Sequence, residues 1–241
     1  MMSAYKVKVI TLFPEIFPGV LGIGNIGRSL KNKIWSLKTI NPRKFAKGIH
    51  KSVDGTTAGG GPGMILKPEM LSKAISESYK GVKNKSDYPL LYLSPRGKRI
   101  SQKQVQNLSK KKGVIMICGR YEGIDQRVLD YHNIEEVSIG DFILAGGEVA
   151  SQAVIESIIR LLPGTLGDDS SKDLESFSNN LLEYPQYTRP KKWKNIEIPE
   201  VLLSGHHKKI TKWRLEMAEK ITKKNRPDLW KNYKKNKTLL K

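Results

Sequence analysis

The sequence has little cysteine and no long apolar run. Cys118 is the single cysteine among 241 residues, so an intramolecular disulfide and a CxxC metal site are excluded. No stretch approaches the roughly 18 apolar residues of a membrane-spanning helix, and the first residues lack the apolar core of a secretion signal. The four histidines have no metal-ligand spacing with Cys118. We therefore expect a cytoplasmic protein without a metal site, in which Cys118 is buried and unreactive.

Acidic residues are absent from residues 16–53, and this absence decides how a glycine motif there is interpreted. Gly22 to Gly27 matches the GxGxxG pattern of dinucleotide-binding proteins. That pattern needs its first glycine at the end of a strand and an acidic residue about 20 positions later. Neither condition is met, so the sequence argues against a Rossmann dehydrogenase. Gly59 to Gly63 likewise lacks the Gly-Lys-Ser/Thr that closes a Walker A loop.

Positive charge is what the sequence has in excess. The formal net charge is +20, and residues 191–241 hold sixteen Lys and Arg against five Asp and Glu. Trp193, Trp213, Trp230 and Tyr233 lie among these cations. A basic segment with interleaved aromatic side chains is typical of a protein that binds nucleic acid, whereas a basic run alone is usually a solvated surface. We therefore predict an RNA partner for this segment.

Apolar periodicity divides the chain into an α/β part and a helical part. Short apolar runs alternate with amphipathic patterns, which predicts a parallel sheet flanked by helices. Strands are predicted at residues 6–10, 89–93, 114–118 and 134–137, and helices at residues 68–79, 101–109, 123–131 and 147–162. Trp213, Met217 and Ile221 share one face of a further helix, which the Pro227 region interrupts. The predicted divisions are an α/β domain (1–164), a flexible acidic linker (165–182) and a basic helical domain (183–241).

Three glycine-containing corners each follow a short apolar run: CGRYEG at 118–123, SIGDF at 138–142 and LAGGE at 144–148. Glycine at the end of a strand lets the main chain approach a ligand closely, so these corners suggest a pocket built of main chain. With YLSP at 92–95, they closely resemble the corners of bacterial tRNA (guanine(37)-N1)-methyltransferases of the SPOUT class. The resemblance covers nearly the whole chain, through ITLFPE at 10–15, GGGPGM at 59–64, RLLPG at 160–164, YTRP at 187–190 and VLLSGHH at 201–207.

The resemblance implies a fold, a reaction and partners. In the SPOUT fold, a parallel sheet flanked by helices ends in a C-terminal trefoil knot, and here a small helical domain would follow. The implied reaction moves a methyl group from S-adenosylmethionine to N1 of the tRNA guanine 3′-adjacent to the anticodon, position 37. The implied assembly is a homodimer with its active sites at the subunit interface. Relatives also depend on magnesium, for which Glu122 and Glu148 are the candidate neighbours here.

By the same resemblance, the corners would hold the cofactor in a bent shape, mostly through main-chain groups, and Gly59 to Gly63 would form a flexible wall of the guanine pocket. The implied cofactor-binding residues are Tyr92, Leu93, Ser94, Pro95, Gly119, Tyr121, Glu122, Gly123, Ser138, Ile139, Gly140, Asp141, Phe142, Ile143, Leu144, Gly146 and Gly147.

Two further residues have catalytic roles by resemblance. Methylation at N1 requires a base that removes the N1 proton and a cation that stabilises charge on O6. Arg160 matches the family's arginine and would stabilise O6. Glu175 stands where the family has an aspartate base; Asp173 is the competing base, and Asp168 and Asp169 are more remote candidates. Two other functions stay open: a SPOUT enzyme for another base or a ribose, and an RNA-binding protein without catalysis.

Overall fold

The structure, a computed structural model, describes residues 3–46, 52–166 and 175–239. Its strands are β1 (Tyr5–Ile10), β2 (Trp35–Ile40), β3 (Asp54–Thr56), β4 (Met64–Leu66), β5 (Leu90–Arg99), β6 (Gly113–Cys118), β7 (Glu135–Ser138), β8 (Lys192–Trp193) and β9 (Ile196–Glu197). Its α-helices are α1 (Gly24–Lys31), α2 (Pro68–Ser78), α3 (Gln102–Ser109), α4 (Gln126–His132), α5 (Gly147–Ile159), α6 (His207–Asn225) and α7 (Pro227–Leu239).

Five of these strands form one sheet in the order β2-β1-β6-β5-β7, and every neighbouring pair is parallel. A parallel sheet is stable when helices cover both of its faces, because each strand between its neighbours then buries side chains on both sides. The predicted α/β class, a parallel sheet flanked by helices and followed by a helical region, is confirmed. Because the strands are parallel, their carboxyl ends lie at one edge of the sheet.

Strand β6 shows how the two faces are filled. Val114, Met116 and Cys118 pack into the apolar cluster that contains buried residues of α1, α3 and α5. Ile115 and Ile117 pack into a second cluster with buried residues of α2 and α4. Alternation of side chains along a strand produces this division. The fully buried strand that was predicted at residues 114–118 is confirmed.

Some elements were not predicted from the sequence, among them β2, the β3–β4 hairpin and helix α1. Close packing explains the last glycine of the GxGxxG match, because Gly27 in helix α1 lies against the main chain of Gly22. A Cβ added at Gly27 would lie 2.0 Å from the carbonyl oxygen of Gly22. The predicted helix at 123–131 instead begins at Gln126, where the Asp125 side chain accepts a bond from the Arg127 N–H at 2.9 Å and caps the helix.

Contacts divide the chain into two compact units, Met1–Gly167 and Asp168–Lys241. The first unit contains the sheet. In the second, α6 and α7 pack together, and Leu181 and Ala218 are buried. The hydroxyl of Thr222, also buried, accepts from the Leu182 N–H at 2.8 Å and donates to the Ala218 carbonyl at 2.7 Å. These bonds attach the chain before Glu183 to helix α6.

Candidate functional site

The ends of three neighbouring strands, β6, β5 and β7, meet at the carboxyl edge of the sheet. Residues 119–123 follow β6, and residues 139–146 connect β7 to α5. The main chain joins these two segments, because the Gly147 N–H donates to the Gly119 carbonyl at 3.0 Å. Ligands of open parallel sheets bind outside the carboxyl ends of the strands. The corners identified in the sequence are therefore brought together at the edge where a ligand is expected.

An irregularity in strand β5 contributes further residues to this site. The register between β5 and β7 shifts between Leu93 and Lys98, because both residues pair with Val137. Proline at position 95 has no N–H to donate to the ladder, and a bulge redirects the side chains that it contains. The Ser94 hydroxyl accepts from the Arg96 N–H at 3.2 Å within this bulge. Ser94, Pro95 and Arg96 consequently line a pocket instead of continuing the flat sheet.

The pocket has a volume of about 530 Å³, which lies within the usual range for a site that holds a small molecule. Glycine contributes much of its lining, at positions 119, 123, 140, 146 and 147, and a glycine offers a ligand only main-chain atoms. At some of these glycines a side chain would also collide with neighbouring residues. A Cβ at Gly146 would lie 2.4 Å from Arg120 Nε, and a Cβ at Gly147 would lie 2.8 Å from Cys118 Cα.

The structure brings together almost all the residues that the sequence suggested for cofactor binding. Those that line the pocket are Tyr92, Leu93, Ser94, Pro95, Gly119, Tyr121, Glu122, Gly123, Ser138, Ile139, Gly140, Phe142, Ile143, Leu144, Gly146 and Gly147. Asp141 is the exception. Its side chain is 83% exposed, and its carboxylate lies 3.6 Å from Arg99 Nη1. An exposed carboxylate next to a cation gains more from water and Arg99 than from an apolar pocket.

Sequence reasoning missed several lining residues, namely Ile65, Arg96, Ile124, Gln126, Val137 and Ala150. Arg96 directly follows the YLSP motif, and this adjacency is the feature of the sequence that could have identified it as a lining residue. Its Nη2 lies 3.0 Å from Glu136 Oε1 and donates to Gln126 Oε1 at 3.2 Å. Ile65 comes from the β3–β4 hairpin, which adjoins the 119–123 corner because the Glu122 N–H donates to the Met64 carbonyl at 3.0 Å.

A buried polar cluster lies behind the glycine corners. Glu148, which is 1% exposed, accepts a bond from the Thr11 hydroxyl at 2.8 Å, and its second oxygen lies 2.9 Å from Arg120 Nε. The Arg120–Glu148 contact is an ion pair without the alignment of a hydrogen bond. Arg120 also donates to the Ala145 carbonyl at 3.3 Å and lies over the Phe13 ring at 4.4 Å. This cluster ties the end of β1 to both corners of the pocket.

Cys118 ends strand β6 beside the same cluster. Its side chain is buried, and burial raises the pKa of the thiol to about 12. The hydrogen bond to the Ser151 hydroxyl, at 3.4 Å, acts in the opposite direction but is the smaller effect. Because the thiolate is the reactive form of cysteine, a thiol with this pKa is inert near neutral pH. The predicted burial of Cys118 is confirmed.

The two residues expected to be catalytic lie in different units. Arg160 directly follows α5 as its C-cap, and its side chain is partly buried. Glu175 is partly buried in the second unit, close to the beginning of its described residues. Asp168, Asp169 and Asp173 lie outside the described residues. Within the first unit, Arg160 does not line the pocket.

The protein has a parallel α/β sheet with a glycine-lined pocket at the carboxyl edge of the strands. This arrangement is typical of the class of α/β proteins that bind a small molecule beyond their strand ends. The particular family follows from comparison with known sequences. The family model described as tRNA (Guanine-1)-methyltransferase TrmD matches residues 5–232. The chain therefore belongs to the TrmD family of tRNA (guanine-1)-methyltransferases, and the family and SPOUT fold class inferred from the sequence motifs are confirmed.

Individual relatives match over almost the entire chain. A protein of Ruegeria sp. (strain TM1040) is 50% identical over 236 residues, which are 98% of this chain and 96% of the relative. A protein of Pelagibacter ubique (strain HTCC1062) is 52% identical over 232 residues, which are 96% of this chain and 100% of the relative. Both relatives are named tRNA (guanine-N(1)-)-methyltransferase. In the described parts of this chain, no helix is long and apolar enough to cross a membrane.

Proposed function

We propose that this protein transfers a methyl group from S-adenosylmethionine to N1 of the guanine at position 37 of tRNA. The observation that carries the proposal is the identity of about half of all residues, over almost the full length, with relatives named tRNA (guanine-N(1)-)-methyltransferase. The pocket at the carboxyl edge of the sheet supports it, because this edge is where an α/β enzyme holds its small-molecule ligand.

The residues that line the pocket fit S-adenosylmethionine. Glycine corners leave room for a bulky adenosine, and their main-chain N–H and carbonyl groups can bond to its polar atoms. Apolar side chains of Leu93, Ile139 and Leu144 offer surface for the rings. When bound, the cofactor supplies an electrophilic methyl group on its sulfonium. Asp141, which pairs with Arg99 at the surface, is not part of the proposed set.

The chain's own residues would manage the proton and the charge of the guanine. Guanine N1 carries a proton at neutral pH, so the N1–methyl bond can form only as that proton leaves. We assign proton removal to the Glu175 carboxylate and stabilisation of the charge on O6 to the Arg160 guanidinium. Asp173 is the alternative base. The support for these roles is the match to the family's motifs at RLLPG and at the segment that ends in Glu175-Ser176-Phe177.

A magnesium site made from Glu122 and Glu148 does not fit the structure. Glu148 is buried, and its two oxygens already face Thr11 and Arg120. A divalent cation would have to replace the Arg120 guanidinium. In residues 3–46, 52–166 and 175–239, no group of three His, Cys, Asp or Glu side chains is placed to hold a metal ion. The proposed mechanism assigns no step to magnesium.

A homodimer is the proposed assembly, with each active site at the subunit interface. Large apolar side chains are exposed around the pocket and along the start of α5: Phe142, Ile143, Val149, Val20 and Ile23. The segment that contains Val20 packs on α5, because Gln152 Nε2 of that helix donates to the Ile16 carbonyl at 3.1 Å. Several large exposed apolar side chains near one site favour a protein–protein interface there.

The second unit is the proposed tRNA-binding part, with residues 165–182 as a linker and 183–241 as the binding domain. Lysine side chains are exposed along both helices, at Lys208, Lys212 and Lys223 of α6 and Lys231 and Lys235 of α7. Cations that neutralise phosphates release condensed counterions, which makes binding favourable and dependent on salt.

Mass spectrometry of nucleosides tests the proposal. The protein would be incubated with isotopically labelled S-adenosylmethionine and an unmodified tRNA transcript that has guanine at position 37, and the RNA would then be digested. We expect labelled 1-methylguanosine, and none from the matched transcript with adenine at position 37. Another labelled nucleoside would indicate a different SPOUT activity, and no labelled nucleoside would indicate a binding protein without catalysis. Either result would overturn the proposal.

A further inference from the structure

The β8–β9 hairpin presents two large apolar side chains to solvent. Trp193 is 62% exposed and Ile196 is 67% exposed. They are directly opposite each other in the antiparallel pair, so both side chains lie on the same face of the hairpin. An exposed aromatic and aliphatic pair on an ordered element offers a contact surface to another molecule.

The hairpin is held in a defined shape. Lys194 and Asn195, the two residues of its turn, both have positive φ, at 47° and 63°. A two-residue turn with positive φ at both positions is type I′, which matches the twist of antiparallel strands. The Ile198 N–H donates to the Lys191 carbonyl at 3.0 Å and extends the pairing beyond the short strands. The Trp193 ring is therefore presented at a fixed place near the turn.

The other aromatic residues of the basic segment have packing roles. Trp230 and Tyr233 stack with ring centroids 5.5 Å apart, and the Tyr233 hydroxyl donates to Glu219 Oε1 at 2.6 Å. Trp213 lies 6.3 Å from the Tyr187 ring. Trp213, Trp230 and Tyr233 are all partly buried. Trp193 is thus the tryptophan in this segment whose ring is mainly available to a partner.

The charge around Trp193 indicates what that partner is. Arg189, Lys191, Lys192 and Lys194 surround it in the sequence, with Glu197 as the nearest carboxylate. Lys194 Nζ lies 4.9 Å from the centroid of the Trp193 ring. A partner that presents flat apolar surface together with negative charge fits these groups, and an RNA base with its adjoining phosphates has both. A second copy of this chain would bring the same cations to the contact and would be repelled.

We infer that Trp193 stacks on an unpaired base of the tRNA substrate, with Ile196 beside it and the neighbouring cations on the adjoining phosphates. This inference rests on the proposed function and adds a base contact to it. Bases within a duplex are already stacked on their neighbours, so the base belongs to a loop, a bulge or an end of the tRNA. Stacking is independent of the identity of the base, so the contact positions the RNA without reading its sequence.

Three substitutions in the full-length protein separate stacking from general apolar contact. tRNA affinity would be measured at several salt concentrations. We expect Trp193→Ala to weaken binding about 10-fold or more, the size of one lost base stack. Trp193→Phe should restore most of the affinity because it keeps an aromatic ring, whereas Trp193→Leu should stay weak. The dependence on salt should be unchanged in all three variants, and Lys194→Gln should reduce it.

Further measurements distinguish the possible failures. Wild-type binding and 1-methylguanosine formation are measured first; their absence would refute the proposed function before any variant is made. If the wild type binds tRNA and Trp193→Ala or Trp193→Leu binds as tightly, only the stacking inference is wrong. Leu203→Ala is the matched control, since Leu203 is 51% exposed in the same unit but lies outside the hairpin. If Trp193→Ala dissociates the protein in sedimentation experiments, the hairpin is a contact between copies and the inference is overturned.

Discussion

At the scale of single residues, Glu148 is the side chain whose surroundings are most fully determined. Glu148→Ala would leave the Arg120 guanidinium beside the pocket without its carboxylate. We expect a loss of about 2–4 kcal/mol in the free energy of unfolding. This is slightly less than the loss expected for a fully buried ion pair, because the Arg120 side chain is partly exposed. Urea unfolding would measure this loss. Titration calorimetry should also show weaker binding of S-adenosylmethionine, because Arg120 holds the Ala145 carbonyl next to Gly146.

The control for this prediction is Glu156→Gln on the same helix. Glu156 is exposed, so the change should alter stability by no more than about 0.5 kcal/mol. If Glu148→Ala is as stable as Glu156→Gln, the buried cluster does not hold the corners together.

Glu175 is the residue on which the proposed mechanism depends most. Glu175→Gln keeps the shape of the side chain but removes its basicity, so single-turnover methylation should fall by about 10²–10⁴-fold. The affinities for tRNA and cofactor should stay close to those of the wild type. Glu175→Asp, which restores the family's residue, should retain substantial activity. Rapid quench of one turnover and equilibrium binding would measure these quantities.

Asp173→Asn is the matched change at the competing position, and it should cost little. If Asp173→Asn is the damaging change and Glu175→Gln is mild, the base lies two residues earlier than proposed. If neither change matters, another group or water removes the N1 proton, and the assigned base is wrong.

Most residues of the pocket could be predicted from the sequence because the glycine corners are local motifs. The Thr11–Glu148–Arg120 cluster could not be predicted, since its members come from distant parts of the chain and no local pattern relates them. Arg96 was missed because a strand pattern does not reveal where a bulge turns a side chain into a pocket. Asp141 was included because it lies within a motif, although its carboxylate pairs with Arg99 at the surface.

At the scale of elements, one carboxylate joins the two C-terminal helices. Glu219 of α6 accepts a bond from the Tyr233 hydroxyl of α7 at 2.6 Å and another from Lys237 at 2.9 Å. The Tyr233 bond is the main cause that lowers the pKa of Glu219 below its ordinary value of 4.5. A carboxylate with a lowered pKa stabilises the fold above the ordinary pKa, and this stabilisation is lost as the pH falls through the lowered value.

We therefore expect Glu219→Gln to destabilise the helix pair by about 1.5–3 kcal/mol at pH 7, the usual contribution of a hydrogen bond to a charged group. The difference from the wild type should shrink as the pH falls below 4.5. Hydrogen exchange of amides in α7 would measure both effects. Glu216→Gln is the control, because Glu216 is exposed and its ion pair with Lys212 is 3.9 Å long. A constant difference between pH 7 and pH 3 would contradict the assigned role of the carboxylate.

Elements with a strong apolar pattern were predicted well, and the edge strand β2 was not. Strand β6 is buried along its whole length, so its apolar run was unambiguous. Strand β2 has buried side chains only at Trp35 and Ile40, and the residues between them are exposed or partly buried. Its sequence contains two polar residues and one lysine among apolar ones, which gives neither a helical nor a clean strand pattern. Its pairing with β1 is a long-range contact that determines the strand.

At the scale of the whole molecule, the proposed homodimer makes a prediction about mixed subunits. An Arg160→Ala chain and a Glu175→Gln chain should each be nearly inactive as homodimers. If the two residues act across the interface, a heterodimer contains one active site with both residues intact, and methylation should reappear. The assay is tRNA methylation after the two chains are unfolded and refolded together, with differently tagged chains to show that heterodimers form. Activity no higher than either parent in a mixture that contains heterodimers would exclude shared sites.

The glycine lining of the pocket also limits how the protein could escape an inhibitor. A compound that packed against the main chain at Gly119, Gly146 and Gly147 would contact groups that every substitution except proline leaves in place. Resistance through added bulk would need a side chain at these positions. A Cβ there would come within 2.7 Å of the Tyr92 hydroxyl, 2.4 Å of Arg120 Nε and 2.8 Å of Cys118 Cα, respectively. A side chain at Gly147 would clash with the main chain, and one at Gly119 or Gly146 would have to displace Tyr92 or Arg120. Resistance through these corners would therefore carry a cost in the protein's own packing.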